Sequence, residues 1–286
     1  MTVSLSFDGN SLRVVTAKGK KVEKWDSVSF DPSLFKEGVI TDAARMAPII
    51  KQALSEKKLS TKNVRWSLPS IGSSSQVLTL PKGGKTSLEL TVQREARRVL
   101  SVSPESSHLY WQQLPGSNTE QRVYVVAIPK ESVQTLISTC QLAGVTIGSI
   151  DLRSLALARA INQKDAVIAH GEVNSVEMVI VLDSVPILTR GIWLREKNLD
   201  TGKVAALFLQ QIAGTMDYYN DINRSNPLPS DVPIYLTGEI ALDPDLAQRV
   251  STLSGRTVAD LEPPLSYPPN FPVAFYMSNI GIILKS

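Results

Sequence analysis

Cysteine and histidine are nearly absent from this chain of 286 residues, which has one cysteine, Cys140, and two histidines, His108 and His170. One thiol closes no internal disulfide and builds no thiolate zinc site, and two histidines cannot form a His-rich metal cluster. Cys140 falls among apolar residues of a helical segment and reads as a buried structural thiol. His108 opens a strand-like run and reads as a surface or half-buried side chain. Aromatic residues make up 6% of the chain and no basic stripe is interleaved with them, so nucleic acid is not an expected partner. No apolar run approaches the roughly 20 residues of a membrane-spanning helix, and the first residues read as a strand rather than a secretion signal. With 43% hydrophobic and 20% charged residues, the composition argues against disorder and points to a soluble, cytoplasmic, globular protein with room for two cores.

What is present is repetition. Val3 to Phe7, Leu12 to Thr16 and Val22 to Val28 are β-branched runs separated by turn residues, and they predict two hairpins. A helix follows, capped by Thr41 or Asp42, with Met46, Ile49, Ile50, Ala53 and Leu54 as its stripe. Pro48 marks either its true start or a kink. Val64 to Leu68 closes the unit. The same order returns from Ala166 to Ala169, Val176 to Leu182 and Pro186 to Ile192. A long helix follows over about Asp200 to Tyr219, then a strand over Ile234 to Thr237 and a helix opened by Asp243-Pro244.

Residues 74–147 have a different rhythm. Gln76 to Leu80, Leu88 to Leu100, His108 to Leu114, Arg122 to Ile128 and Glu131 to Ala143 read in a βαββα order, a compact α+β subdomain inserted into the first module. The expected division is 1–73 plus 148–163 as a first module, 74–147 as the insertion and 164–286 as a second module. Charge follows this division. Residues 1–147 carry 19 Lys+Arg against 12 Asp+Glu, and residues 148–286 carry 11 against 15. No run of five like charges occurs, so the basic half is either an ordinary solvated surface or a face for an acidic peptide, a phosphate or an anionic membrane.

Enzymatic motifs fail on inspection. Gly83-Gly84-Lys85-Thr86 imitates the end of a P-loop, yet Thr79 stands where its first glycine belongs, so a tight turn is expected. Ile71-Gly72-Ser73-Ser74-Ser75 lacks the second glycine of a nucleophile elbow and reads as a linker.

The order of segments resembles the actin-like ATPase superfamily, and within it the FtsA and PilM branch. Val123 to Ala127 with Pro129-Lys130-Glu131, Leu142 to Val145, Ile150 to Ala160, Leu188 to Ile192, Ile234 to Gly238 and Ile280 to Lys285 carry the likeness toward PilM of type IV pilus and competence assembly. The resemblance implies an α/β, duplicated actin-like (RNase H-like) fold with the inserted subdomain. Only Leu194 to Thr201 joins the second hairpin to the long helix, so the fourth subdomain is expected to be largely absent.

Against that family the nucleotide loops are degenerate. With Arg13 in the place of a lysine, Ser6 takes the position of the first-loop aspartate and Asp8 that of a glycine. The second loop reads Ala169-His170-Gly171, again without a carboxylate, and a Gly-Gly pair has become Gly238-Glu239. Asp8, Gly9, Ser11, Arg13, His170, Gly171, Gly238 and Glu239 are thus the remains of a nucleotide site. Mg²⁺ beside phosphates is held through carboxylates, so hydrolysis should be very slow or absent. No metal, cofactor or catalytic residue is assigned. ATP binding without turnover stays open through loop amides and Arg13, and His170 either contacts phosphate or fills space.

The favoured expectation is a scaffold of a type IV pilus, competence or type II secretion-like machinery. The resemblance implies that it binds the cytoplasmic tail of a PilN-like inner-membrane protein in a groove involving the inserted subdomain. Contact with the membrane would come only through that partner. Arg94, Arg97 and Arg98 are candidate partner contacts, with a plain solvated helix face as the other reading. The alternative is an active ATPase or a sugar-kinase-like phosphotransferase, which needs a carboxylate base and Mg²⁺ ligands; a DNA segregation protein is a distant third.

Overall fold

The computed structural model describes residues 1–82, 87–100, 102–103, 105–194 and 201–285. Gly83-Gly84-Lys85-Thr86 and most of the Leu194 to Thr201 connection lie outside these residues.

The chain opens with strands β1 (Thr2–Asp8), β2 (Ser11–Lys18) and β3 (Lys21–Ser29), then a two-residue pair β4 (Phe35–Lys36) and β5 (Val39–Ile40). Helix α1 (Ala43–Glu56) is capped by Asp42, whose carboxylate accepts the Arg45 amide at 3.0 Å. Pro48 neither starts nor ends this helix. It sits on the exposed side, while Met46, Ala47, Ile50, Ala53 and Leu54 are buried. Strand β6 (Val64–Leu68) returns to the sheet.

The insertion follows as β7 (Ser74–Pro81), α2 (Leu88–Leu100), β8 (Ser107–Leu114), β9 (Glu120–Pro129) and α3 (Lys130–Ala143). Gly144 ends α3 in the left-handed conformation that spares it a Cβ clash. Strand β10 (Ile147–Leu152) and helix α4 (Arg153–Ile161) lead to the second half. There β11 (Ala166–Glu172), β12 (Ser175–Leu182), β13 (Val185–Trp193), α5 (Thr201–Ile222) and β14 (Ile234–Thr237) repeat the opening order. Helices α6 (Leu246–Ser254) and α7 (Met277–Ile283) finish the chain. Asp243-Pro244 does not begin α6. The Asp243 carboxylate caps the Asp245 amide at 3.0 Å in the turn before it, so the proline shapes the approach rather than the first helical turn.

The repeat is visible in strand order. The first sheet runs β10-β6-β1-β2-β3 and the second β13-β12-β11-β14, each with two antiparallel steps followed by a parallel one. In the second sheet the place of a fifth strand is reduced to one bridge, Ile234 to Val258. Strands β1 and β11 are central, flanked on both sides, and accordingly almost wholly buried. Helices α4 and α7 lie between the sheets and share a core with Val15, Ile168 and Val179. Their approach is so close that a Cβ on Gly281 would lie 1.8 Å from the Ala156 carbonyl oxygen.

The insertion forms its own three-stranded sheet, β7-β9-β8, with a small core of Leu78, Leu80, Val92, Ala96, Val123 and Val125. Helix α3 turns the other way and places Leu136, Cys140 and Ala143 in the core of the first sheet, with Phe7, Trp66 and Leu54. Residues 74–147 therefore serve two cores. Burial of Cys140 pushes its thiol up to about 12, which keeps it in the unreactive neutral form.

Candidate functional site

The parallel architecture of the two sheets brings the β1–β2 turn against the β11–β12 turn, and the ends of β14 and α4 close the same seam. Six ionisable side chains meet there, all buried: Asp8, Arg13, Arg153, His170, Glu172 and Glu177. Isolated charges do not survive such burial, so each is paired.

Arg13 on β2 grips Glu172 on β11 through two contacts, Nη1 to Oε1 at 2.8 Å and Nη2 to Oε2 at 2.6 Å. Its Nη1 also donates to the Phe275 carbonyl at 2.7 Å, and the guanidinium carbon lies 3.3 Å from the Phe275 ring centroid. Arg153, the first residue of α4, reaches Glu177 at 2.7 Å and Asp8 Oδ1 at 2.8 Å. The Arg153–Asp8 contact is a close ionic one without the angle of a hydrogen bond, since Asp8 Oδ1 has no hydrogen-bond partner. The other Asp8 oxygen accepts from Ser278 at 3.1 Å and from Ser6. Glu177 also accepts the Ser70 amide at 3.0 Å.

His170 faces Glu177 across the β11–β12 register and stands within reach of both modules. Its Nδ1 is 3.0 Å from Thr237 Oγ1, and its Nε2 is 3.2 Å from Glu172 Oε1 and 3.4 Å from Asp8 Oδ1. Burial opposes ionisation of Asp8 and Glu172, but the arginines outweigh it. Arg153 and Arg13 hold Asp8, and Arg13 holds Glu172, well below the usual carboxylate range.

The sequence-assigned positions thus converge on one seam. Asp8, Arg13 and His170 belong to the ion network. The Gly9 carbonyl accepts from Asn174 at 3.0 Å, and Ser11 Oγ donates to the Asp8 carbonyl at 2.9 Å. Gly171 and Gly238 are stacked together: Gly238 has φ +88°, and a Cβ there would lie 2.3 Å from the Gly171 carbonyl oxygen. The Glu239 amide donates to Glu172 Oε1 at 3.2 Å. The Glu239 carboxyl is shifted upward by its own burial and by the negative Glu172 beside it. His170 is no mere space filler, because its ring touches two carboxylates.

Sequence reading passed over Arg153, Glu172 and Glu177. A signal existed: Glu177 interrupts Val176-Glu177-Met178-Val179-Ile180-Val181 in a strand buried on both faces, where a charge needs an opposite one nearby.

A second feature lies on the other side of α4. A groove of about 490 Å³ runs between the β8 and β9 strands, α4 and the β12–β13 turn. Tyr110, Trp111 and Tyr124 line one wall, Leu155, Ala158 and Arg159 the floor, and Val185 and Pro186 the far side. Strand β8 pairs only with β9, so its other edge carries no ladder among the described residues. Arg94, Arg97 and Arg98 are elsewhere, on α2. The Arg94 and Arg98 side chains are 76% and 74% exposed and contact Glu95. Arg97 lines a separate hollow of about 300 Å³ with Glu89, His108 and Lys130.

Among the described residues no helix is long and apolar enough to cross a membrane. A family model for the type IV pilus assembly protein PilM matches residues 11–250. Curated protein sequences give no significant match. Solved structures do. A PilM-PilN type IV pilus biogenesis complex aligns at TM-score 0.79 and 19% identity, over 99% of this chain and 97% of that one. The cytoplasmic domain of EpsL, an inner-membrane component of the type II secretion system of Vibrio cholerae, aligns at 0.56 and 11% identity over 100% and 94%. The ethanolamine utilization protein EutJ from Carboxydothermus hydrogenoformans aligns at 0.55 and 11% identity over 100% and 89%. A further neighbour, from Bacteroides thetaiotaomicron, is described as having an actin-like ATPase fold. The fold is the actin-like one.

Proposed function

Since the chain belongs to the PilM family of type IV pilus assembly proteins, we propose that it is a cytoplasmic scaffold of such a machinery. In this reading it docks the cytoplasmic tail of a PilN-like inner-membrane protein, reaches the membrane through that partner, and does not hydrolyse ATP. The groove beside β8 carries the proposal. An extended tail would add to the open β8 edge through backbone hydrogen bonds and seat apolar anchors among Tyr110, Tyr124 and Ala158. That one solved relative is a complex of PilM with PilN supports the class of partner.

The seam supports the absence of turnover. A phosphoryl-transfer site needs a carboxylate free to hold Mg²⁺ and a cation free to hold phosphate. Here Asp8 and Glu172 are committed to arginines, and Arg13 is committed to Glu172 and Phe275. We take Asp8, Gly9, Ser11, Arg13, His170, Gly171, Gly238 and Glu239 as the remnant of a nucleotide site, not as a working one.

The test is titration of the full chain with a synthetic peptide of the partner's cytoplasmic tail. The expected result is saturable binding that Ala158→Trp, which fills the groove from the half-exposed face of α4, weakens at least tenfold while leaving the unfolding midpoint in place. Equal affinity in the filled variant, or no binding by the unaltered chain, sinks the proposal.

A further inference from the structure

The charges at the seam do not cancel with a neutral histidine. Asp8, Glu172 and Glu177 supply three negative charges, and Arg13 and Arg153 supply two positive ones. A proton on His170 brings the buried network to zero.

The contacts of the ring point the same way. His170 Nδ1 lies 3.0 Å from Thr237 Oγ1, a hydroxyl that accepts from a protonated nitrogen or donates to a bare one. On the opposite side of the ring, Nε2 lies between Glu172 Oε1 at 3.2 Å and Asp8 Oδ1 at 3.4 Å. A lone pair there would point at two anions. An N–H shared between them is attractive to both, although it is linear to neither, which is why Nε2 lacks a well-aligned single partner. With Nε2–H set between two anions, and one negative charge of the buried network otherwise uncancelled, the ring is best read as an imidazolium, in which Nδ1 donates to Thr237 as well.

A divalent cation is the rival occupant, because Asp8, His170 and Glu172 offer donor atoms within 4.8 Å of one another. It fits poorly. The two oxygens nearest Nε2 already lie 2.8 Å from guanidinium nitrogens, and a dication beside a neutral ring would leave the network at net +1.

We propose that the imidazolium of His170 bolts the two modules together at the seam where the resemblance places the phosphate loops, and that losing its proton loosens the seam. The bolt is held from every side. β1 presents Asp8, β2 Arg13, α4 Arg153, β11 Glu172 and β12 Glu177, the end of β14 presents Thr237, and the turn after it the exposed Glu239. Burial opposes a charged ring, but hydrogen bonding to Asp8 and Glu172 outweighs it and raises the pKa of His170 above its ordinary value. The sign follows: the stabilisation is complete below about pH 6.5, the unfolded histidine value, and is lost as pH rises through the raised folded pKa. The partner groove is walled by both modules, with Tyr110 and Leu155 from one and Val185 and Pro186 from the other. A loosened seam therefore weakens peptide binding, a consequence that rests on the scaffold reading.

The experiment uses the full chain with 15N-labelled histidine, His108→Gln serving to assign the two rings. At pH 7, His170 should show both nitrogens protonated. The unfolding midpoint should fall as pH rises through the ring's titration, and peptide affinity should fall with it. His170→Gln should lower the midpoint at pH 7 and abolish the histidine-linked alkaline decline, and adding Glu172→Gln, which restores neutrality, should recover part of the loss. A singly protonated His170 at pH 7, stoichiometric metal in the purified protein, or an unchanged decline in the double variant overturns the proposal. These readouts need no partner, so a peptide that fails to bind at any pH refutes the scaffold reading alone. A peptide whose affinity ignores the titration overturns the link between bolt and groove.

Discussion

Arg13 and Glu172 face each other across the seam in a fork-to-fork pair, Nη1 to Oε1 at 2.8 Å and Nη2 to Oε2 at 2.6 Å. The Arg13 cation is thereby neutralised by a residue of its own chain. Bidentate geometry makes this pair hard to displace.

Millimolar ATP with Mg²⁺ is therefore expected to leave the thermal midpoint unchanged. A ligand present at a hundred times its dissociation constant stabilises a native state by about 2.7 kcal/mol, a shift that differential scanning fluorimetry reads easily. A rise of that size would mean that nucleotide displaces Glu172 from Arg13.

Arg153→Ala should cost about 3–5 kcal/mol in urea unfolding, because it strands Asp8 and Glu177 without their shared cation in the interior. Arg98→Ala is the comparison. That side chain is 74% exposed, so removing its contact with Glu95 should stay within about 0.5 kcal/mol. Similar losses in the two variants would show that the seam is not the buried network described.

On the acid side, the lowered pKa values of Asp8 and Glu172 give stability that is present above the ordinary carboxylate range and lost as pH falls through their lowered folded values. Replacing one carboxylate, as in Glu172→Gln, should flatten the acid limb of a stability profile. An identical limb in the variant would place the acid-sensitive groups elsewhere.

Much of this protein was legible in its sequence because the signals are local. Alternating and β-branched runs separated by turn residues gave the strands, and Gly144 gave the end of α3. The doubled order of elements pointed to a duplicated fold. Local rules failed where a residue's effect depended on its surroundings. Pro48 was absorbed because its side of α1 is exposed, and Asp243-Pro244 capped a turn instead of opening α6. The residues of the β1–β2 and β11–β12 turns were also legible, being a matter of residue identity. Their pairing was not. Arg13 and Glu172 are 159 positions apart, and Arg153 meets Asp8 and Glu177 from a third segment. The sequence by itself determined which charged residues stand at these turns, Asp8 and Arg13 at the first and His170 and Glu172 at the second. Only the tertiary structure decided that neighbouring charges from both halves fill the seam. A buried charge is tolerated only beside its opposite, and the folding of the chain alone sets which charges are neighbours.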